Sequence, residues 1–177
     1  MRGYFAMGVE GSSKPHNLGN LVRSSHSFGA SFFFTVAPVV DVRSVRQTDT
    51  SDAFDHLPFY NFETIADLKL PRKCALVGVE LMEDSVELPS FRHPLRAAYI
   101  LGPERGSLSE AVIGRCDHII KIPMKFCVNV GVAGAIVMYD RLISLGRFAP
   151  RGVKAGGPAE FLPDHIQGGQ IIRSGRE

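Results

Sequence analysis

Three short segments carry the residue types that could do chemistry. NLGNLVRSSHSFGA, from Asn17, holds Asn17, Gly19 and Arg23 in the spacing N-x-G-x-x-x-R. LGPERGSLSEAV, from Leu101, sets Glu104 between Gly102 and Gly106. IPMKFCVNVGVAGAIVMYDRL, from Ile122, puts Asn129 at the head of a long apolar stretch. A guanidinium stays charged at every physiological pH, so Arg23 suits holding an anion better than accepting a proton. Asn17 and Asn129 supply amide donors and acceptors, and Glu104 supplies one acid. Glycine at a strand end lets backbone come close to a ligand. Each segment also has a plain structural reading: Asn17 as a helix cap with Arg23 on the surface, Glu104–Arg105 as a solvated turn, and the stretch after Asn129 as a core helix. That last reading leaves the polar residue opening the helix unexplained.

The elements that must position these residues alternate along the chain. Apolar, β-branched and aromatic runs predict strands at Gly3–Val9, Ser31–Val36, Cys74–Leu81, Ala97–Gly102 and His118–Pro123. A three- and four-residue repeat of Leu18, Leu21, Val22, Ser25 and Phe28 predicts a helix from about Asn17. NFETIADLKL reads as helical and stops at Pro71. Ser109 caps a short helix through Gly114, and a final helix runs from near Asn129 to about Leu145. Asp41–His56 is polar and turn-prone, and reads as a surface loop. Such alternation implies an α/β fold, a parallel sheet with helices on both faces. Ligands in such sheets sit beyond the carboxyl ends of the strands. All three segments follow a strand there. Residues 1–146 form the expected domain, and residues 147–177, with several glycines and prolines and little periodicity, read as a basic tail that is mobile unless a partner orders it.

Composition narrows the class. The 177 residues suit one domain with a real core. The longest uncharged apolar stretch, Val128–Tyr139, is well short of the roughly 20 residues of a membrane span. The N-terminus lacks the long apolar run of a signal peptide. Cys74, Cys116 and Cys127, odd in number and far apart, fit a reducing compartment, so a cytoplasmic protein is expected. Cysteines and histidines lack metal-ligand spacing, and no metal is expected. His56, in a polar stretch, reads as a loop brace. A net charge of +2 does not by itself announce a nucleic-acid binder. No Walker string and no G-x-G-x-x-G after a strand are present.

Taken in order, the three segments resemble the motifs of the SpoU (TrmH-like) family of the SPOUT class, the RNA ribose 2′-O-methyltransferases. Asn17, Gly19 and Arg23 match the first motif; Gly102 and Glu104 match the second; Asn129, Val130, Val132 and Ala133 match the third. DAFDHLP, from Asp52, is similar to a further family segment, with Asp55 in place of glutamate, and extends the likeness to about Leu145. There are departures. Ser107 stands where the family carries glycine, Cys127 replaces a serine, Gly131 replaces another, and the link from Met124 to Cys127 is short.

The resemblance implies a SPOUT sheet with a C-terminal trefoil knot, S-adenosylmethionine as cofactor, RNA as partner and a homodimer. It implies catalytic roles for Arg23, Asn17, Asn129 and Glu104, and a cofactor pocket at Val79, Gly102, Ile122, Met124 and Val128. Transfer would be to a ribose 2′-hydroxyl, with tRNA favoured slightly over rRNA because a small substrate needs less added surface. A SPOUT base methyltransferase, or an inactive relative that still binds cofactor and RNA, are the alternatives.

Overall fold

The computed structural model describes residues 3–40, 53–148 and 155–156. Met1–Gly146 form one compact unit and Arg147–Glu177 a second. Nearly all of the second unit lies outside the described residues, and so does the tail expectation with it. The same holds for most of the expected 41–56 loop.

Seven strands form one parallel sheet: β1 (Tyr4–Glu10), β2 (Phe32–Val36), β3 (Phe59–Phe62), β4 (Ala75–Val79), β5 (Val86–Glu87), β6 (Arg96–Leu101) and β7 (His118–Lys121). Their order across the sheet is β3-β2-β1-β6-β4-β7-β5. The helices are α1 (Pro15–Ser27), α2 (Ala53–His56), α3 (Glu110–Ile113) and α4 (Val130–Leu145). The central strands β1, β2, β4 and β6 are buried along most of their length, which is why their sequences read as continuous apolar runs. In β6, Ala97, Tyr99 and Leu101 join a core with Leu18, Leu21 and Val22 of α1 and Val137 and Met138 of α4. Ala98 and Ile100 point the other way, into a second core with Leu68, Leu108 and Val112. Long helices therefore cover one face; the other is closed by the one-turn α3 and by connections.

Close packing on the helical face depends on α4. A Cβ at Gly134 would lie 2.3 Å from Leu21 Cδ1, so glycine here lets α4 settle against α1 with the Leu21 side chain in place. Arg141 of α4 is buried and donates to the carbonyls of Pro94, Leu95 and Tyr4 and to the Tyr99 hydroxyl. This ties α4 to the amino-terminal end of the sheet, opposite the end that carries the three motifs.

Two sequence expectations are corrected. Helix α1 begins at Pro15, with Lys14 as its cap residue, so Asn17 sits inside the first turn and does not cap it. Proline fits the first helical position because its missing N–H is not needed there. NFETIADLKL is not a helix. Phe59–Phe62 pair with β2 in the register Phe33↔Phe59 to Val36↔Phe62, and Phe33 and Phe59 stack with centroids 5.3 Å apart. After that strand, Thr64 and Asp67 close a capping box on a single 3-10 turn, Ile65–Asp67. Long-range pairing overrides the local helical pattern. The cap at Ser109 is as expected, its Oγ accepting from the Val112 N–H at 3.2 Å.

Candidate active site

The carboxyl ends of β1, β6, β4 and β7, four neighbours in the middle of the sheet, open into one cavity of about 470 Å³. Its walls combine apolar side chains (Val79, Leu101, Ile122, Met124, Val128) with Glu80, Glu104, Asn17, Asn129 and Lys14. The volume lies in the usual range for small-molecule sites, about 300–1,000 Å³.

The polar wall is held by one continuous run of hydrogen bonds. Asn129 caps α4, its Oδ1 accepting from the Gly131 N–H at 2.8 Å. Its Nδ2 donates to Asn17 Oδ1 at 2.9 Å. Asn17 Nδ2 in turn donates to Glu104 Oε1 at 3.3 Å. Glu104 also accepts from the Ser13 and Lys14 N–H groups, at 3.1 and 3.3 Å, and from the Ser13 hydroxyl at 3.0 Å. One carboxylate from the β6–α3 loop thus holds the backbone leading into α1, where helix N–H groups have no partners of their own. Burial raises the Glu104 carboxyl, but the hydrogen bonds from Ser13 and Asn17 outweigh it and hold the group below its ordinary value of 4.5.

That direction fixes a pH dependence. A carboxyl lowered by folding stabilises the fold above its unfolded value, and the contribution is lost as pH falls through the folded value. The urea midpoint of the wild-type chain should exceed that of Glu104→Gln by a constant amount above about pH 6. The gap should close as the pH drops below 4.5. A gap that stays constant down to pH 3 would contradict the clamp.

Gly102 and Gly106 shape the loop that carries Glu104. A Cβ at Gly102 would meet the Leu108 nitrogen at 3.1 Å, so glycine here lets the loop fold back against its own strand end. Gly106 has φ +117°, a conformation other residues rarely adopt. The glycine-requiring position therefore lies one residue before Ser107. This accounts for the departure noted in the sequence.

Arg23 is placed apart from this run. Six residues at about 100° each turn it some 240° from Asn17 around α1, so it does not share the side of the first-turn amides. It lies in an adjoining groove of about 690 Å³ between α1 and α4, with Asn20, Phe28, Val132 and Tyr139. Asn129 lines both spaces. Cys127 is exposed at the cavity wall. His56 stacks on His26 with ring centroids 5.6 Å apart. Among the described residues no three or more His, Cys, Asp or Glu side chains are grouped to hold a metal, and no helix is long and apolar enough to cross a membrane.

Residues 5–139 match the SpoU rRNA Methylase family. The chain belongs to that family. It is 28% identical over 144 residues to a Staphylococcus aureus protein assigned to the TrmH family of tRNA/rRNA methyltransferases, covering 75% of this chain and 56% of that one. It is 26% identical over 144 residues to the 23S rRNA (guanosine-2′-O-)-methyltransferase RlmB of Nitrosomonas europaea, covering 75% and 53%. The chain spans about half the length of these curated relatives. The AdoMet-bound rRNA methyltransferase of Sinorhizobium meliloti has the same fold, with a TM-score of 0.72 at 19% identity over 83% of this chain and 59% of that one.

In this SpoU-family chain, two carboxylates escaped the sequence reading. Glu80, just past β4, accepts from the Leu108 N–H at 2.7 Å and from the Leu81 N–H at 2.9 Å. Glu10, at the end of β1, accepts from the Ser109 N–H at 2.8 Å and the Ser109 hydroxyl at 2.6 Å. The motif loop is thereby anchored to strands on either side of β6. A lone glutamate after a strand follows no pattern. The one available signal was its repetition: three of the strand ends around the cavity carry a glutamate within three residues.

Proposed function

We propose that this chain transfers a methyl group from S-adenosylmethionine to the 2′-hydroxyl of an RNA ribose. The observation that carries the reading is the hydrogen-bonded run Glu104–Asn17–Asn129 on the wall of a strand-end cavity, in a chain of the SpoU family. The cavity suits the cofactor: Val79, Ile122, Met124 and Val128 offer apolar contact for an adenosine, and Gly102 leaves backbone along the wall. The cofactor, when bound, supplies an electrophilic sulfonium methyl.

The chain's own residues do the rest. Asn129 is fixed at both ends of its amide, so it presents a rigid polar edge where the cavity meets the groove. Arg23, exposed in that groove, grips the phosphate beside the target ribose or steadies the incipient alkoxide, and a phosphate oxygen or water takes the proton. A guanidinium, which has donors and no acceptor, does not serve as the base.

The groove carries half-exposed Val132 and Tyr139, whereas Leu18, Leu21 and Val22 are wholly buried in the core. This supports reading the apolar part of the groove, around Val132 and Tyr139, as the face covered by a second copy in a homodimer. The reading also includes the C-terminal knot, a cytoplasmic setting, and tRNA slightly ahead of rRNA as substrate. The test is transfer of labelled methyl to an RNA substrate and to its all-deoxy counterpart. Label should enter the RNA and not the DNA, because only the RNA has the accepting hydroxyl. Equal labelling of both would overturn transfer to ribose.

A further inference from the structure

We infer that Phe126 is a nucleobase-stacking residue, set with Lys125 at the cavity mouth to hold an unstacked base of the RNA; this rests on the reading of the chain as an RNA methyltransferase. Phe126 is 83% exposed, the most exposed of the large apolar side chains among the described residues. It belongs to the short β7–α4 connection, in which Met124, Cys127 and Val128 line the cavity. Folding gives no reason for a phenyl ring there, since nothing in either core covers it.

The charges around the ring point to a polyanion. Each carboxylate of the loop and cavity wall is occupied by backbone donors: Glu104 by Ser13 and Lys14, Glu80 by Leu81 and Leu108, Glu10 by Ser109. Of the cations, Lys121 on the cavity wall donates to the Met82 and Glu83 carbonyls, and three others lie free of such bonds. Lys14, Arg105 and Lys125 are exposed, and among the described residues the only ion pair within 4.0 Å is His93–Asp140, elsewhere in the fold. The carboxylates are thus half-buried against backbone donors, while the cations of the segments that form the mouth, and the bare aromatic ring, are exposed. Lysine and arginine hold phosphates without regard to sequence, and aromatic rings stack bases in the same tolerant way.

The chain has no tryptophan, so Phe126→Trp carries its sole indole. Titrating that variant with unfractionated tRNA and rRNA should quench the indole saturably, whereas polyphosphate, an anion without bases, should leave the emission unchanged. Phe126→Ala should weaken RNA binding by about tenfold or more, within the range of a lost base–aromatic stack. Its affinity for S-adenosylmethionine should be unchanged. Lys125→Ala should lower the salt dependence of RNA binding by about one ion. RNA binding with no change in emission, equal RNA affinity of Phe126→Ala and wild type, or a loss of oligomeric mass in Phe126→Ala would each overturn the assignment. The last of these would place the ring against a second copy of the chain. Quenching by RNA without methyl transfer would leave the stacking role standing and remove the enzymatic reading. Failure of the wild-type chain to bind either RNA would remove both.

Discussion

Arg23→Ala should lower the turnover of RNA methylation by about 10²–10³-fold, the usual loss when one donor to a developing anion is removed. S-adenosylmethionine affinity should stay within twofold of wild type, because Arg23 lies in the α1–α4 groove and not among the residues lining the cavity. The structural cost should be small as well. Arg23 is exposed and the buried face of α1 is built from Asn17, Leu18, Leu21, Val22 and Ser25. Arg23→Lys distinguishes two modes of action. If the guanidinium holds a phosphate through two parallel hydrogen bonds, lysine restores the charge but not the fork, and should recover only part of the rate. Parallel single-turnover rates and cofactor titrations measure the split. Full activity in Arg23→Gln would exclude both the phosphate grip and the alkoxide role.

The second large effect is on Asn129. Alanine there removes the cap of a sixteen-residue helix and leaves Asn17 Oδ1 without its donor. Loss of a cap costs about 0.5–2 kcal/mol. An unpartnered buried acceptor adds about 1–3 kcal/mol. A fall of roughly 2–4 kcal/mol in unfolding free energy is therefore expected on chemical denaturation. Asn129→Asp separates the two parts. An aspartate still caps the helix, so much of the stability should return. It cannot donate to Asn17, however, and it brings a second carboxylate towards the run that ends at Glu104. Asn17 could regain a partner only by turning its amide, which would take its donor away from Glu104. Methyl transfer should therefore stay low in the aspartate variant even where stability recovers. An aspartate variant with wild-type activity would show that the asparagine is a cap alone.

The core of the sheet was legible because of how it is buried. β1, β2, β4 and β6 are buried along most of their length, so each appears as an apolar run. β3 was hidden, since its partner residues Phe33–Val36 lie far off in sequence and its own residues carry a helical pattern. β5 is two residues long, too short for any period. The start of α1 was missed although Pro15 marked it, because the polar Asn17 looked like the better cap.

The site shows the same division. Glu104 and Asn129 meet Asn17 across 87 and 112 residues of chain, and no local pattern carries such separations. The three residues could be named together only because their motifs occur in the family's order. Glu10 and Glu80 belong to none of those motifs, and only the folded loop reveals what they hold. The position of Arg23 was the reverse case. Helical geometry alone turns it away from Asn17, although both belong to one motif.

Whether the methyl goes to ribose is decided by the identity of the methylated nucleoside. The chain would be incubated with S-adenosylmethionine and separate tRNA and rRNA pools, and the RNA digested to nucleosides and analysed by mass. A single added methyl is expected on the ribose of a nucleoside from at least one pool, absent when Arg23→Ala replaces the wild-type chain. A methyl on the base, or a ribose methyl that Arg23→Ala still makes at the wild-type rate, would contradict it.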